Sequence, residues 1–543
     1  MRLPRPSFAV FFLPALLSVA CGDNTPTYPA IVIYGNPDGT GNTTSTGATG
    51  ASDGSGNASS GGSGNGTSSG GSGNDTSSGG MSSGGASAPT GLYAHCANPW
   101  SGEDPPVKTK CDLDALQDGG DITGDITANK TLKTGFSYGL NGPVRVMPGV
   151  TLTIQPCVKV IGKTADSVLA VLSGAIGDPL HSCFYASGEP GPGAKLMAIG
   201  EPMAPIVFTS SKPKGQRAPG DWGGVILMGN AQNNLATADD NGTSGTRVPI
   251  EGLTRPECHG WPTAKFNAES SGHLEYVRIE FASRQLAADN ETNGLSLGSL
   301  GSGTELHYIE VSNSGDDCFE WFGGAANADH LIALNCDDDM FDGDNGFSGH
   351  LQFLFGRQFP TTTELDSRGF EIDGAPSPDN KPVTSEQASN FTICGGGATD
   401  HNATRDGAVL RNFAGSVSLM NGIITGFAGS GTFVQNDASS QAKMTFVNAF
   451  ANAKGIMAGT DVSNGNASIG ANWFVKQTGN TSAAADRFCD CWANPPVPVG
   501  GSTAKGGKPT GFADESADYV GAFKDASAGS NWMRGLWVDW SSK

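Results

Sequence analysis

The chain has 543 residues, with 32 basic and 53 acidic side chains and a formal net charge of −21. No run of Lys and Arg offsets that charge. This excludes a nucleic-acid partner, because neutralising phosphates needs a basic surface.

In chain order, residues 1–20 read as a targeting segment. Arg2 and Arg5 form a basic start, Phe8 to Ala20 is apolar, and Leu17-Ser18-Val19-Ala20 leads into Cys21. The apolar run is too short for a permanent membrane span. Small residues before a cysteine resemble the bacterial lipobox, which makes Cys21 the expected lipidation site and the membrane, through that lipid, the expected partner. Each buried CH₂ of the lipid contributes about 0.8 kcal/mol to anchoring. Residues 21–88 are the expected tether. From about Asn36 to Ala88 the composition collapses to Gly, Ser, Thr and Asn, which cannot bury enough apolar surface to fold. A flexible tether of this length spans roughly 40–50 Å.

The folded part is expected from Pro89 to Lys543, with 89–142 as an N-terminal cap region, 143–500 as the body and 501–543 as a C-terminal cap. Val144 to Ile154 alternates strongly around Pro148-Gly149 and reads as two strands and a turn. Leu169–Leu172, Leu196–Ile199, Ile206–Phe208 and Val225–Met228 follow as further short strands, each bounded by turn residues. Ala231 to Arg247 reads as an exposed loop.

Between Glu305 and Gly374 one pattern repeats at an offset of 22 residues. Ile309, Val311 and Asn313 answer to Leu331, Ala333 and Asn335. Asp316 and Asp317 answer to Asp338 and Asp339, Phe319 to Phe341, and Glu320 to Asp342. A third copy starts at Leu351, Phe353 and Phe355 and returns at Phe370-Glu371. An earlier copy, Leu274, Val277, Ile279 and Phe281, has the apolar half without the acids. Period-two apolar runs recurring at this spacing predict stacked coils of short strands, an all-β parallel β-helix in which equivalent residues form ladders. Asn313 over Asn335 is then an amide ladder.

The acids form a ladder too. Two carboxylates about 4.8 Å apart repel by roughly 3–4 kcal/mol at an effective dielectric near 20, and by under about 1 kcal/mol in bulk water. Sheltered acids must therefore be protonated or share a cation, and the remaining option is that they splay into solvent. Asp316, Asp317, Glu320, Asp338, Asp339, Asp342 and Glu371 are the candidate ligands of a Ca²⁺, which accepts six to eight hard oxygens in loose geometry. Asp342-Gly343-Asp344-Asn345-Gly346 resembles a fragment of a calcium loop but lacks the downstream Glu of an EF-hand.

Of the eleven cysteines, ten remain beside Cys21, an even number suited to an oxidising compartment. The expected local pairs are Cys96 with Cys111, Cys157 with Cys183, and Cys318 with Cys336. Cys489-Asp490-Cys491 is too tight for a mutual bridge, so these two are expected to reach Cys258 and Cys394. No Cys/His pair has the spacing of a zinc ligand set. His307 and His330 read as packed turn or surface residues rather than bases. Trp532, Trp537 and Trp540 mark the C-terminal cap that an open β-helix end requires; carbohydrate stacking is their functional alternative.

Gly220-Asp221-Trp222-Gly223-Gly224-Val225, Leu274 to Glu280, Gly315 to Gly324 and Asp337-Asp338-Asp339 together resemble a family of bacterial outer-membrane lipoproteins with a right-handed parallel β-helix, leptospiral surface lipoproteins among them. The resemblance runs from about Val144 to the C-terminus. It implies the fold, a lipid anchor in the outer membrane and display at the cell surface, and little about activity; the role expected here is binding or scaffolding, with a polysaccharide or surface protein as partner. The alternative is a polysaccharide hydrolase or lyase. Gly315-Asp316-Asp317-Cys318 is similar to the paired-aspartate motif of polygalacturonase-type hydrolases, with Gly349-His350 standing in for their Gly-His element. Their upstream Asn-Thr-Asp is absent, Phe281-Ala282-Ser283 taking its place, and no Arg-Ile-Lys follows. On this alternative Asp316, Asp317, Asp338 and Asp339 are the catalytic acids, and Arg357 or Arg368 is the base of a lyase.

Overall fold

A computed structural model describes residues 104–541, apart from 175–182, 360–366, 397–405, 428–432, 435–444, 453–505, 525–530 and a few single or paired positions. Cys21, the tether, Cys96, Cys489 and Cys491 lie outside the described residues. Short parallel strands stack as three ladders. The first runs through Thr151–Ile154, Lys195–Ile199 and the opening halves of Gly272–Glu280, Glu305–Ser312, Ala328–Leu334, His350–Arg357 and Gln387–Cys394. The second takes Lys159–Gly162, Ile206–Ser210 and the closing halves of those same long strands. The third takes Val168–Val171, Val225–Met228, Leu295–Leu300, Phe319–Gly324, Phe341–Asp344, Phe370–Asp373 and Ala408–Arg411. This is a parallel β-helix.

The 22-residue register holds residue by residue. Ile309 pairs with Leu331 and Val311 with Ala333, Phe319 with Phe341 and Glu320 with Asp342, and Phe341 with Phe370. Phe319, Phe341 and Phe370 stack inside at successive spacings of 5.5 Å. The interior is one continuous apolar column from Ile122 to Phe427.

Two corners explain why apolar alternation alone misplaces some residues. Between the first and second ladders the chain turns on one left-handed residue per coil: Tyr276, Tyr308, His330, Phe353, Asn390 and Asn421 all have φ between 49° and 59°. Bulky residues rarely adopt this conformation. Here their rings stack, Tyr276 on Tyr308 at 4.5 Å, Tyr308 on His330 at 4.2 Å and His330 on Phe353 at 4.7 Å, and the stacking offsets the backbone cost. Phe353 is therefore a corner residue, and Leu351 and Leu354 are the inward pair, not the alternation Leu351, Phe353, Phe355. The second corner carries Phe281, Asn313 and Asn335, also left-handed. The expected amide ladder is present, Asn335 Nδ2 donating to Asn313 Oδ1 at 2.8 Å.

The coils begin at Gln117–Ile126, which pairs with Phe136–Val146, inside the segment expected to be a cap. Only Ile122 and Ile126 of that first rung are buried, so it carries little apolar signal. The loop from Ala231 to Arg247 is only partly exposed. Asn233 Nδ2 donates to Phe322 O, Asn234 Nδ2 to Gly374 O, and the buried Arg247 guanidinium to Gly174 O and Asn230 Oδ1. Polar side chains that satisfy coil carbonyls look like loop residues in sequence.

Cys318 bonds to Cys336 as expected. The other two local pairings are corrected: Cys111 bonds to Cys157 and Cys183 to Cys258. Coil stacking makes neighbours of residues a coil or more apart, so proximity in sequence is a poor guide to pairing. Cys258 is consequently unavailable to Cys489 or Cys491. Cys394 is disulfide-bonded.

The Trp-rich tail lies along the side of the coils instead of across their end. Asn421 Nδ2 donates to Gly507 O, Asn390 Nδ2 to Tyr519 O, and Arg278 Nη1 to Leu536 O, so the tail runs back over successive coils. It covers Ile332, Leu334 and Phe355, which point outward from the second ladder, with Phe523, Met533 and Trp537.

Candidate metal centre

The acids project from the outer face of the third ladder and from the turns that feed it. Ser296, Glu320, Asp342, Glu371 and Val409 form one row. Asp316-Asp317 and Asp338-Asp339 sit in equivalent turns, locked by the Asp339 amide donating to Asp317 Oδ1 at 2.7 Å and the Cys318 amide to Asp339 O at 2.9 Å. Asp317, Glu320, Asp339 and Glu371 are buried, and Asp316, Asp338 and Asp342 half-buried.

The structure divides these acids into two groups. Carboxylate oxygens of Asp316, Asp317 and Asp338 lie within 4.8 Å of one another, as do those of Asp317, Glu320 and Asp342. Asp317 belongs to both sets and joins them. Asp339 and Glu371 instead pair with arginine. Arg368 reaches Asp339 at 3.6 Å and contacts Glu371, and Arg411 contacts Glu371 and lies 2.8 Å from Asp373. Their charge is compensated by protein, which removes them from the ligand set.

The electrostatics separate the groups in the same way. Burial, then Asp316, Asp342, Asp339 and Asp338, push the Asp317 carboxyl well above its ordinary range. Burial, then Glu251, Asp342, Asp317 and Asp316, do the same to Glu320. The strongest charged neighbours of both are acids. Asp342 is raised by burial and then by Asp339, Asp373 and Asp344, against Arg411, and its enclosed Oδ1 has no hydrogen-bond partner. Two protons, or one divalent cation, would relieve each set. Hard oxygen donors in this number suit Ca²⁺.

Sequence reasoning placed Asp344 only in a calcium-loop-like fragment and missed Asp373 and Glu251. Asp344 and Asp373 lie two residues along the same strands from Asp342 and Glu371; burial raises Asp344 to about 6 and Asp373 well above its ordinary range. Extending the repeat by two positions finds them, together with Arg411. Glu251 comes from a loop with no repeat signal. Burial, then Asp316 and Glu291, raise it to about 8, and Asn293 Nδ2 bridges it to Glu320.

The residues invoked for catalysis do not all meet. Arg368 is beside the acids. Arg357 is on the second ladder, buried under the tail with its guanidinium 5.6 Å from the Trp540 ring. His350 is on the first ladder, its Nδ1 2.6 Å from Gly511 O and its ring stacked on Phe512, so the Gly349-His350 element does not adjoin the paired aspartates. The described tryptophans of the tail are packed against Tyr276, Tyr308, His330 and Phe355, which leaves little of their faces for a sugar.

Comparison with curated proteins and with solved structures returned no match. A family profile described as "Pectate-lyase like beta helix domain" matches residues 124–495, a span that opens in the first rung and includes all three ladders and the acid cluster. The chain belongs to this pectate-lyase-like β-helix family.

Proposed function

We propose that this chain is a lipid-anchored β-helix of the outer membrane, displayed at the cell surface, that binds or scaffolds a surface polysaccharide or protein and is stabilised by Ca²⁺ at the acid ladder. The observation that carries the cation is the burial of Asp317 and Glu320 with acids as their strongest charged neighbours. The anchor is supported by the lipobox-like run ending at Cys21 and by the Gly/Ser tether behind it. Cys21→Ser tests that anchor: full chain expressed with its own leader in a diderm host should move from the detergent phase to the aqueous phase. Retention of the variant in the detergent phase would exclude lipid on Cys21 as the membrane attachment.

The second reading, a polysaccharide hydrolase or lyase, is favoured by one observation. Arg368 and Arg411 lie among the same carboxylates, and a lyase needs a base beside its cation. Both guanidiniums are held by Glu371, and a fold shared with lyases does not carry their activity. Full chain incubated with polygalacturonate and Ca²⁺ should release no unsaturated product. Turnover abolished by Arg368→Ala would establish the enzyme reading instead.

A further inference from the structure

A second cluster lies on the outer face of the first ladder. Parallel register puts His273 beside Glu305 on adjacent coils, and lines up Glu275, His307 and Asp329 on three. One ligand atom each from His273, Glu305 and His307 falls within 4.8 Å of the others, and the two imidazoles meet edge to face at 5.8 Å. His273 Nδ1 is 2.9 Å from Glu305 and its Nε2 3.3 Å from Glu275. The His273 side chain is 19% exposed, that of His307 34% and that of Glu305 59%, so an ion can reach them from solvent.

Asp329 orders this cluster from behind. It accepts from His307 Nδ1 at 2.7 Å and from His330 Nδ1 at 2.6 Å. Both of its carboxylate oxygens are thus engaged by imidazole nitrogens, Oδ2 by His307 and Oδ1 by His330. With Nδ1 donating, His307 presents Nε2 as a lone pair. A carboxylate fixing the far nitrogen of an imidazole is the usual second shell of a metal-bound histidine. His330 is kept out of the set by stacking on Tyr308 and Phe353.

We propose that His273, His307 and Glu305 form a surface site for a first-row transition ion of the zinc class, with Asp329 as a positioning residue. Two imidazoles and a carboxylate suit Zn²⁺ better than Ca²⁺. Bonds of about 2.0–2.1 Å require donors roughly 3.3 Å apart in a tetrahedron, which rotation of the exposed Glu305 side chain, with a smaller adjustment of the half-buried His273, would supply. Glu275 or water completes the fourth position. No linear spacing announces this site, because its histidines are brought together by coil stacking.

The test is titration of ZnCl₂ into the tag-free full chain by calorimetry, with Co²⁺ substitution read by visible absorption. Expected are saturable binding of one zinc per chain and the d–d bands of four-coordinate cobalt. His273→Ala with His307→Ala should abolish both. Asp329→Asn should weaken zinc about 10–100-fold while leaving calcium affinity unchanged, and Glu320→Gln in the acid ladder should leave zinc affinity unchanged. Glu305→Gln, at an exposed position, guards against loss through misfolding and should still weaken zinc. Absence of zinc binding to the wild-type chain, or equal zinc affinity in the double histidine variant, overturns the proposal.

Discussion

Trp537→Ala is expected to destabilise the protein by about 3–5 kcal/mol, the range for truncating a buried large aromatic. Trp537 is fully buried. Its ring meets Tyr276 at 6.0 Å and Tyr308 at 5.8 Å edge on and stacks on Trp532 at 6.0 Å. It thus clamps the tail to two rungs of the corner stack at once. Removing it opens a cavity between the tail and the coils and exposes Ile332 and Leu334 beneath. Trp537→Phe should cost much less, because the indole Nε1 has no hydrogen-bond partner to lose. Urea unfolding gives the stability change, and limited proteolysis should show the tail cut first in the Ala variant. A stability change under about 1 kcal/mol, with the tail still protected, would mean that the tail does not brace the coils; surface substitutions typically fall in that range.

Glu386→Met is expected to stabilise the protein near neutral pH and to have much less effect in acid. Glu386 is fully buried and neither carboxylate oxygen has a hydrogen-bond partner. Its Oε2 occupies the space in front of Gly343, where a Cβ would come within 2.0 Å. Burial alone raises its carboxyl from 4.5 to about 8. The folded state therefore holds a proton that the unfolded state releases above its own lower pKa. Stability from this group is fully present below about pH 4.5 and is lost as pH rises toward about 8. At pH 7 the loss is roughly 3 kcal/mol, from 1.36 kcal/mol per pH unit. Methionine has similar volume and no titration, so the difference between variant and wild type should grow by that amount from pH 4.5 to pH 7. Denaturant midpoints across this range make the comparison, in which the other titrating groups cancel. Parallel pH profiles would show that Glu386 reaches water or a partner.

The ladders were legible in the sequence because each coil repeats one inward pattern, and Ile309 over Leu331 or Phe319 over Phe341 survives as a register of 22. Corners were less legible. A left-handed Asn, as at Asn313 and Asn335, is expected in a turn, whereas left-handed Tyr276, Tyr308 and Phe353 follow no local preference and exist because neighbouring coils stack their rings. The acid row was visible as composition, but its division was not. Arg368 lies close to Glu371 in sequence, whereas Arg411 reaches Glu371 only through the rung pairing of Phe370–Asp373 with Ala408–Arg411. The tail's tryptophans were visible as a cluster, yet only the outward Ile332, Leu334 and Phe355 determine that it lies along the coils. Cys318 with Cys336 was legible, but the other two local disulfide pairings failed for the same reason that the ladders succeeded: stacking replaces nearness in sequence with nearness by coil.

The central claim is that a divalent cation compensates Asp317 and Glu320. Thermal unfolding of the full chain at pH 7.5, in chelator and in saturating Ca²⁺, compared with Asp317→Asn/Glu320→Gln, tests it most directly. Wild type should gain stability with Ca²⁺, about 2.7 kcal/mol when the ion is at a hundredfold its dissociation constant, and Mg²⁺, which demands stricter octahedral geometry, should add less. The variant should show no Ca²⁺ response and should melt above wild type in chelator, because neutral amides relieve the repulsion that the cation otherwise offsets. Melting curves of wild type that superimpose in chelator and in Ca²⁺ would contradict the claim and leave the buried carboxyls as protonated pairs.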